Sequence, residues 1–300
     1  MVRLENARLG VTVVPAMGGG LACFDWLAGG SGPVALMRAV EPGEVATPTG
    51  FEPNRLACYP LVPWSNRVTG GGFTHGGERI TLPLNRADDD YPIHGSGWQR
   101  AWRVVRQAAM SVTLALHDTI AGAYDYEATL AYALDDDALR VELGVTNTGS
   151  AARPFGLGLH PFFPCHDSVR LHAPARTVWL NDSRNLAPRV RDAVPPAWDF
   201  STDTDLPTGG LNNGFQGWTG RARITWPARG LALDVSGDVD TYILYVPEGE
   251  GFFCFEPVDH PVDALNLPGG ATAHGMAVLA PGQALARSFA FRVSEEGYDR

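Results

Sequence analysis

The chain is built from short runs in which apolar and polar residues alternate with a period of two. Leu139, Val141, Leu143 and Val145 alternate with Arg140, Glu142, Gly144 and Thr146. Leu231, Leu233 and Val235 alternate with Ala232, Asp234 and Ser236, and Phe289, Phe291 and Val293 with Ser288, Ala290 and Arg292. A strand turns successive side chains to opposite faces, so these runs predict strands with one buried face. Residues 135–137, 147–149, 247–251 and 281–282 are clusters of Gly, Asn, Asp and Pro, the residues that turns require. Nowhere do apolar residues recur at i, i+3 and i+4 through three helical turns, and no repeat of fixed period occurs. Residues 181–220, rich in Asp, Pro and Gly, are expected to form loops with short strands. The pattern predicts an all-β fold of the large sandwich type, as a single domain over residues 1–300.

Composition narrows the chemistry. The 35 Gly and 23 Pro agree with a turn-rich chain. All 23 basic residues are Arg, which excludes a Schiff-base lysine, a phosphate-loop lysine and a pyridoxal-phosphate lysine. A net charge of -10 makes nucleic acid and anionic membrane surfaces poor partners, although a local Arg can still hold an anionic small molecule. Cys23, Cys58, Cys165 and Cys254 lie far apart without a C-x-x-C, and read as reduced core residues. Glu5, Pro15 and Gly18 to Gly20 interrupt the N-terminal apolar positions, which does not suit a signal peptide. No run approaches the roughly 18 apolar residues that cross a bilayer. The expectation is a soluble, cytoplasmic protein.

Dinucleotide, esterase and zinc-protease motifs (G-x-G-x-x-G, G-x-S-x-G, H-E-x-x-H) are absent. His160 and His166 sit in a Pro-interrupted stretch, a poor metal-ligand spacing, so neither a metal nor a cofactor is expected. What remains is four apolar, aromatic segments that each carry an ionisable residue. They are Tyr59-Pro60-Leu61-Val62-Pro63-Trp64-Ser65-Asn66-Arg67, Tyr91-Pro92-Ile93-His94-Gly95-Ser96-Gly97-Trp98, Phe155-Gly156-Leu157-Gly158-Leu159-His160-Pro161-Phe162-Phe163 and Phe252-Phe253-Cys254-Phe255-Glu256-Pro257. Burying an ionisable group costs several kcal/mol unless it is paired or neutralised, which makes such placements candidates for chemistry. Each residue also has a plain structural alternative. His94 and His160 can be core histidines, Glu256 can end a strand in water, and Arg67 can make a structural ion pair. Trp64, Trp98 and Trp218 can be core aromatics.

Taken in order, these segments resemble the aldose 1-epimerase (galactose mutarotase) family. The family pattern P-x-x-P-[YW]-S-N-R, H-G-x-G-W, G-L-x-x-H-P-[YF]-F, E-P and G-x-x-V-L-A-P-G reads here as PLVPWSNR, HGSGW, GLGLHPFF, EP and GMAVLAPG. The resemblance implies a large antiparallel β-sandwich, the galactose mutarotase-like supersandwich, with a sugar cleft on one face. It implies an isomerase that interconverts the α and β anomers of a free sugar without cofactor or metal, as a monomer or homodimer. By matching motifs, Glu256 is the base that takes the anomeric hydroxyl proton and His160 the acid that protonates the ring oxygen. His94 supports that end of the sugar, and Arg67, Asn66 and Trp98 bind it.

The residues agree with this independently. Opening a hemiacetal takes a proton from one oxygen and gives one to another, and a carboxylate with an imidazolium can do both. Each contributes roughly 10²–10⁴ in rate when positioned. The expected pH profile is a bell whose acidic limb belongs to the carboxylate and whose basic limb belongs to the imidazolium. Two alternatives stand beside this reading: a non-catalytic sugar-binding or sensor domain, and an epimerase for an acidic or phosphorylated sugar. Only Arg55, Arg67 and Arg100 adjoin the site motifs to serve the latter. One position departs from the family, which carries Asp in a D-x-x-F segment where this chain has Asn212 ahead of Phe215. An amide grips a hydroxyl less firmly than a carboxylate and does not repel an anion. Asn212→Asp is therefore expected to raise kcat/KM on galactose and lower it on a uronic sugar; a ratio that does not move places Asn212 outside the site.

Overall fold

The computed structural model describes residues 1–30, 32–40, 52–181 and 188–296. They form two large sheets, one of eleven strands and one of nine, with antiparallel ladders throughout both. Helical structure among the described residues is limited to single 3-10 turns, and no helix there is long and apolar enough to cross a membrane. The three alternating runs form the strands Ala138–Asn147, Leu231–Gly237 and Ala284–Glu295, adjacent in the nine-stranded sheet. Their Leu, Val and Phe positions are buried, as the period of two requires. Residues 181–220 contain the strands Pro188–Ala193, Thr204–Asp205 and Leu211–Gln216, while 182–187 lie outside the described residues.

The sheets pack face to face around one continuous apolar cluster drawn from both. Phe163 of the larger sheet meets Phe291 of the smaller at 6.5 Å. Polar tips are satisfied across the interface: the Trp226 indole N–H donates to Pro164 O at 2.9 Å, and the Tyr132 hydroxyl donates to Gly19 O at 3.0 Å. All four cysteines are free; Cys58 and Cys254 are buried, whereas Cys23 and Cys165 are only partly so.

Five neighbouring strands of the larger sheet depart from simple alternation. In the order Cys58–Leu61, Gly158–Pro164, Phe252–Val258, Thr241–Val246 and Leu211–Gln216, they are buried almost throughout. One face joins the main core. The other carries a second apolar cluster, in which Tyr59, Phe162 and Cys254 are covered by Ile93, Trp98 and Val262 from the connecting segments. Strands buried on both faces read as apolar runs, which is why the site motifs look continuous and not striped.

Two of those connecting segments are zipped together. Val62 bridges Gly95, Arg67 bridges Ile93, and the Gly97 N–H donates to Val62 O at 3.1 Å. Gly95 has φ 65, and a Cβ there would lie 2.2 Å from Val62 O, against backbone that cannot swing away. Gly95→Ala is expected to destabilise the protein by roughly 2–4 kcal/mol in urea unfolding. A change under about 0.5 kcal/mol, as at an ordinary surface position, would contradict this packing.

Candidate active site

Cross-strand register builds the site. Residues directly opposite one another in antiparallel strands share a face. Tyr59 pairs with His160, and Glu256 with Ile243. The register that joins Gly158 to Val258 and Phe162 to Cys254 sets His160 opposite Glu256. A second row on the same face runs Phe162, Cys254, Tyr245, Asn212. Strand parity thus turns Asn212 outward with the pair. Asn213 turns the other way, and its side-chain amide donates to Trp179 O at 2.8 Å.

His160 Nε2 lies 3.4 Å from Glu256 Oε1, and the two side chains are only 9% and 3% exposed. That separation exceeds a good hydrogen bond. Glu256 Oε2 and His160 Nδ1 are buried with no partner among the described residues. Buried polar atoms almost always have partners, so this pair holds unused hydrogen-bonding capacity. Burial pushes the Glu256 carboxyl up to about 8, with Arg67 opposing the shift. Burial also drives His160 down to about 3, assisted by the charges of Arg38 and Arg86. Burial thus favours the protonated carboxyl and the neutral imidazole. This reverses the order of pKa values expected for an ionised Glu256 and a protonated His160, because both groups are dry.

His94 completes the ionisable set, edge-on to His160 with ring centres 5.2 Å apart. It has φ 61, and Asn66 has φ 57. The two left-handed residues clasp each other: the Asn66 N–H donates to His94 Nδ1 and the His94 N–H donates to Asn66 O, both at 3.0 Å. With Nδ1 accepting, the neutral ring carries its proton on Nε2. Burial first, then the neighbouring His160, keep His94 well below its ordinary pKa. Arg67 forks onto Asp89, with Nη2 at 2.7 Å and Nε at 3.0 Å from Oδ2. The Asn66 Oδ1 accepts from the Arg67 N–H at 2.9 Å.

Glu256, His160, His94, Asn66, Arg67 and Asn212 all line one cleft of about 380 Å³. Trp98 does not. It is fully buried, stacked 5.2 Å from Tyr59 with its N–H donating to Gly95 O, and so supports the wall from one layer behind. Arg100 also lies elsewhere, paired with Asp118. Conversely, Arg38 and Arg86 line the cleft beside Arg55 and Arg67, although they lie in segments without a motif. Hollows of about 730 and 520 Å³ also occur, the first sharing Phe252 with this cleft, but none of the ionisable residues lining them is buried. Chemistry, not size, singles out the smaller cleft. Among the described residues no group of three or more His, Cys, Asp or Glu could hold a metal ion.

Comparison with known proteins gives a consistent result. A family model described as aldose 1-epimerase matches residues 45–292. The uncharacterised protein YphB of Escherichia coli K12 is 35% identical over 246 residues, covering 79% of this chain and 83% of the relative. YihR, another uncharacterised protein of that organism, is 27% identical over 69% of this chain and 70% of its own. The crystal structure of a candidate aldose 1-epimerase from Escherichia coli K12 superposes with a TM-score of 0.87 at 32% identity, over 98% of both chains. An aldose epimerase homologue from C. elegans shares the fold, with a TM-score of 0.83 at 17% identity over 99% of each chain.

The dry pair has a signature in stability. A carboxyl whose folded pKa rises from 4.5 to about 8 loses stability as pH rises between those values, by about 1.4 kcal/mol per pH unit. Glu256→Gln removes that loss, so its stability relative to the native protein is expected to increase with pH over this window in denaturant titrations. A difference that instead grows toward acid pH would mean a native ion pair and would contradict the assignment.

Proposed function

This chain belongs to the aldose 1-epimerase family, and from that premise we propose that it interconverts the α and β anomers of a free aldose, with Glu256 as base and His160 as acid. The observation that supports this most is the buried carboxyl–imidazole pair set face to face at 3.4 Å on one wall of a sugar-sized cleft.

The pair works through a single shared proton equivalent. In the closed-ring complex Glu256 is the carboxylate and His160 the imidazolium. Glu256 takes the proton from the anomeric hydroxyl as the ring C–O bond breaks, and His160 gives its proton to the ring oxygen. The products are an open-chain aldehyde, a neutral carboxyl and a neutral imidazole. Rotation about the bond between the first two carbons presents the other face of the carbonyl. Reclosure returns both protons by the reverse path. Burial favours the neutral pair, so the dry site assists ring opening, the step that destroys two charges. His94 Nε2–H donates to the sugar from the side, and Asn66, Arg67 and Asn212 hold its hydroxyls. The proposed setting is the cytoplasm.

Activity then follows the one-proton state of the pair, which spans about 3 to about 8 in the free protein. Proton-exchange NMR on α-glucose and α-galactose is expected to show a broad plateau in kcat/KM between those limits. Glu256→Gln should cost roughly 10²–10⁴ in rate. In the residual activity of His160→Asn the acidic limb should vanish, because in this dry site that limb belongs to the imidazole. Undiminished exchange in Glu256→Gln, or loss of the basic limb in His160→Asn, would overturn the mechanism.

A further inference from the structure

The cleft gathers arginines in a molecule that is acidic overall. The chain carries a net charge of -10, yet four arginines, Arg38, Arg55, Arg67 and Arg86, line the cleft against a single carboxyl, Glu256. Three of the four have their own partners: Arg67 forks onto Asp89, Arg86 pairs with Asp88, and Arg55 is engaged as well. Arg38 is held differently. Its Nη2 donates to Leu56 O at 3.0 Å and to Asn54 O at 2.5 Å, and its guanidinium lies 3.8 Å over Phe162 and 4.7 Å from Phe252. Among the described residues no carboxylate lies within ion-pair distance of it. Its Nε is buried and has no partner among those residues.

Two carbonyls and two aromatic rings fix the orientation of a cation without neutralising it. Desolvation works against that charge, lowering the Arg38 pKa, and a buried charge ordinarily finds a counter-ion. Phe162 receives the His160 ring at 4.6 Å as well as the Arg38 guanidinium, which keeps the free charge within one sugar's length of the acid–base pair. The row that starts at Phe162 ends at Asn212, an amide that does not repel an anion, and the lining holds no second acid.

Resting on the anomer-exchange reading above, we propose that the aldose taken by this cleft carries an anionic substituent, such as a carboxylate or phosphate, at the end of the ring remote from the anomeric carbon, and that Arg38 is the contact that selects it. A planar guanidinium with unused N–H donors binds such a group by charge-assisted hydrogen bonds. The local positive field also draws an anion into a molecule whose overall charge repels it.

The test compares kcat/KM for anomer exchange on glucose, glucuronic acid and glucose 6-phosphate, at one pH and at low and high salt. The native protein is expected to favour at least one anionic sugar over glucose by tenfold or more, with the preference shrinking as salt rises. Arg38→Gln should cut that preference roughly tenfold to hundredfold, and Arg38→Lys should restore much of it. Should Arg38→Gln fail to fold, competitive inhibition of glucose exchange in the native protein by inorganic phosphate supplies the same information. Inhibition supports the proposal and its absence contradicts it. Glucose turned over as well as both anionic sugars, or a preference unmoved by Arg38→Gln, would overturn the anionic specificity alone. No exchange on any of the three sugars would overturn the anomer-exchange reading beneath it.

Discussion

A carboxyl and an imidazole face each other where neither can keep its charge, and the rest of the cleft is arranged around that constraint. Glu256 and His160 are both almost wholly buried. Water is the usual stabiliser of their ionised forms, and the strands around them exclude it. Desolvation therefore separates their pKa values in the direction opposite to that of the free amino acids. A proton lies on the oxygen and is missing from the nitrogen. Moving it across creates two charges in a dry site, and ring opening removes them again.

Such a pair needs a scaffold that is dry on both faces and exact in register. Central strands of an antiparallel sheet supply the register, since a slip of one residue would turn His160 or Glu256 into the main core. The covering segments supply the dryness. Residues 62–67 and 93–97 lie over the outer face, joined by backbone bridges and by the reciprocal clasp of Asn66 with His94. That clasp holds two residues in left-handed conformations, a strain tolerated only where surrounding contacts hold it. What it secures is the His94 tautomer, with the N–H left for a ligand.

Much of this was legible in the amino-acid sequence. Alternation located the outer strands, and the apolar segments marked by one ionisable residue picked out Glu256, His160, His94 and Arg67, which the fold brings into one cleft with Asn66. Parity even separates Asn212 from Asn213 once the strand Leu211–Gln216 is known. Other features were not legible, for physical reasons. Trp98 sits inside a site motif, but its bulk packs behind Tyr59 and never reaches the cleft. Arg38 and Arg86 come from stretches without periodicity or motif, and only tertiary folding places them beside His160. The protonation order could not be read either, because it depends on burial from both faces of a sheet and not on residue type.

The most direct test of the central claim is the position of a sugar in the cleft. A crystal structure of the protein soaked with an aldose should place the anomeric hydroxyl within hydrogen-bond distance of a Glu256 carboxyl oxygen and the ring oxygen against His160. A sugar seated with its anomeric carbon turned away from that pair, or bound in another hollow of the surface, would contradict the account.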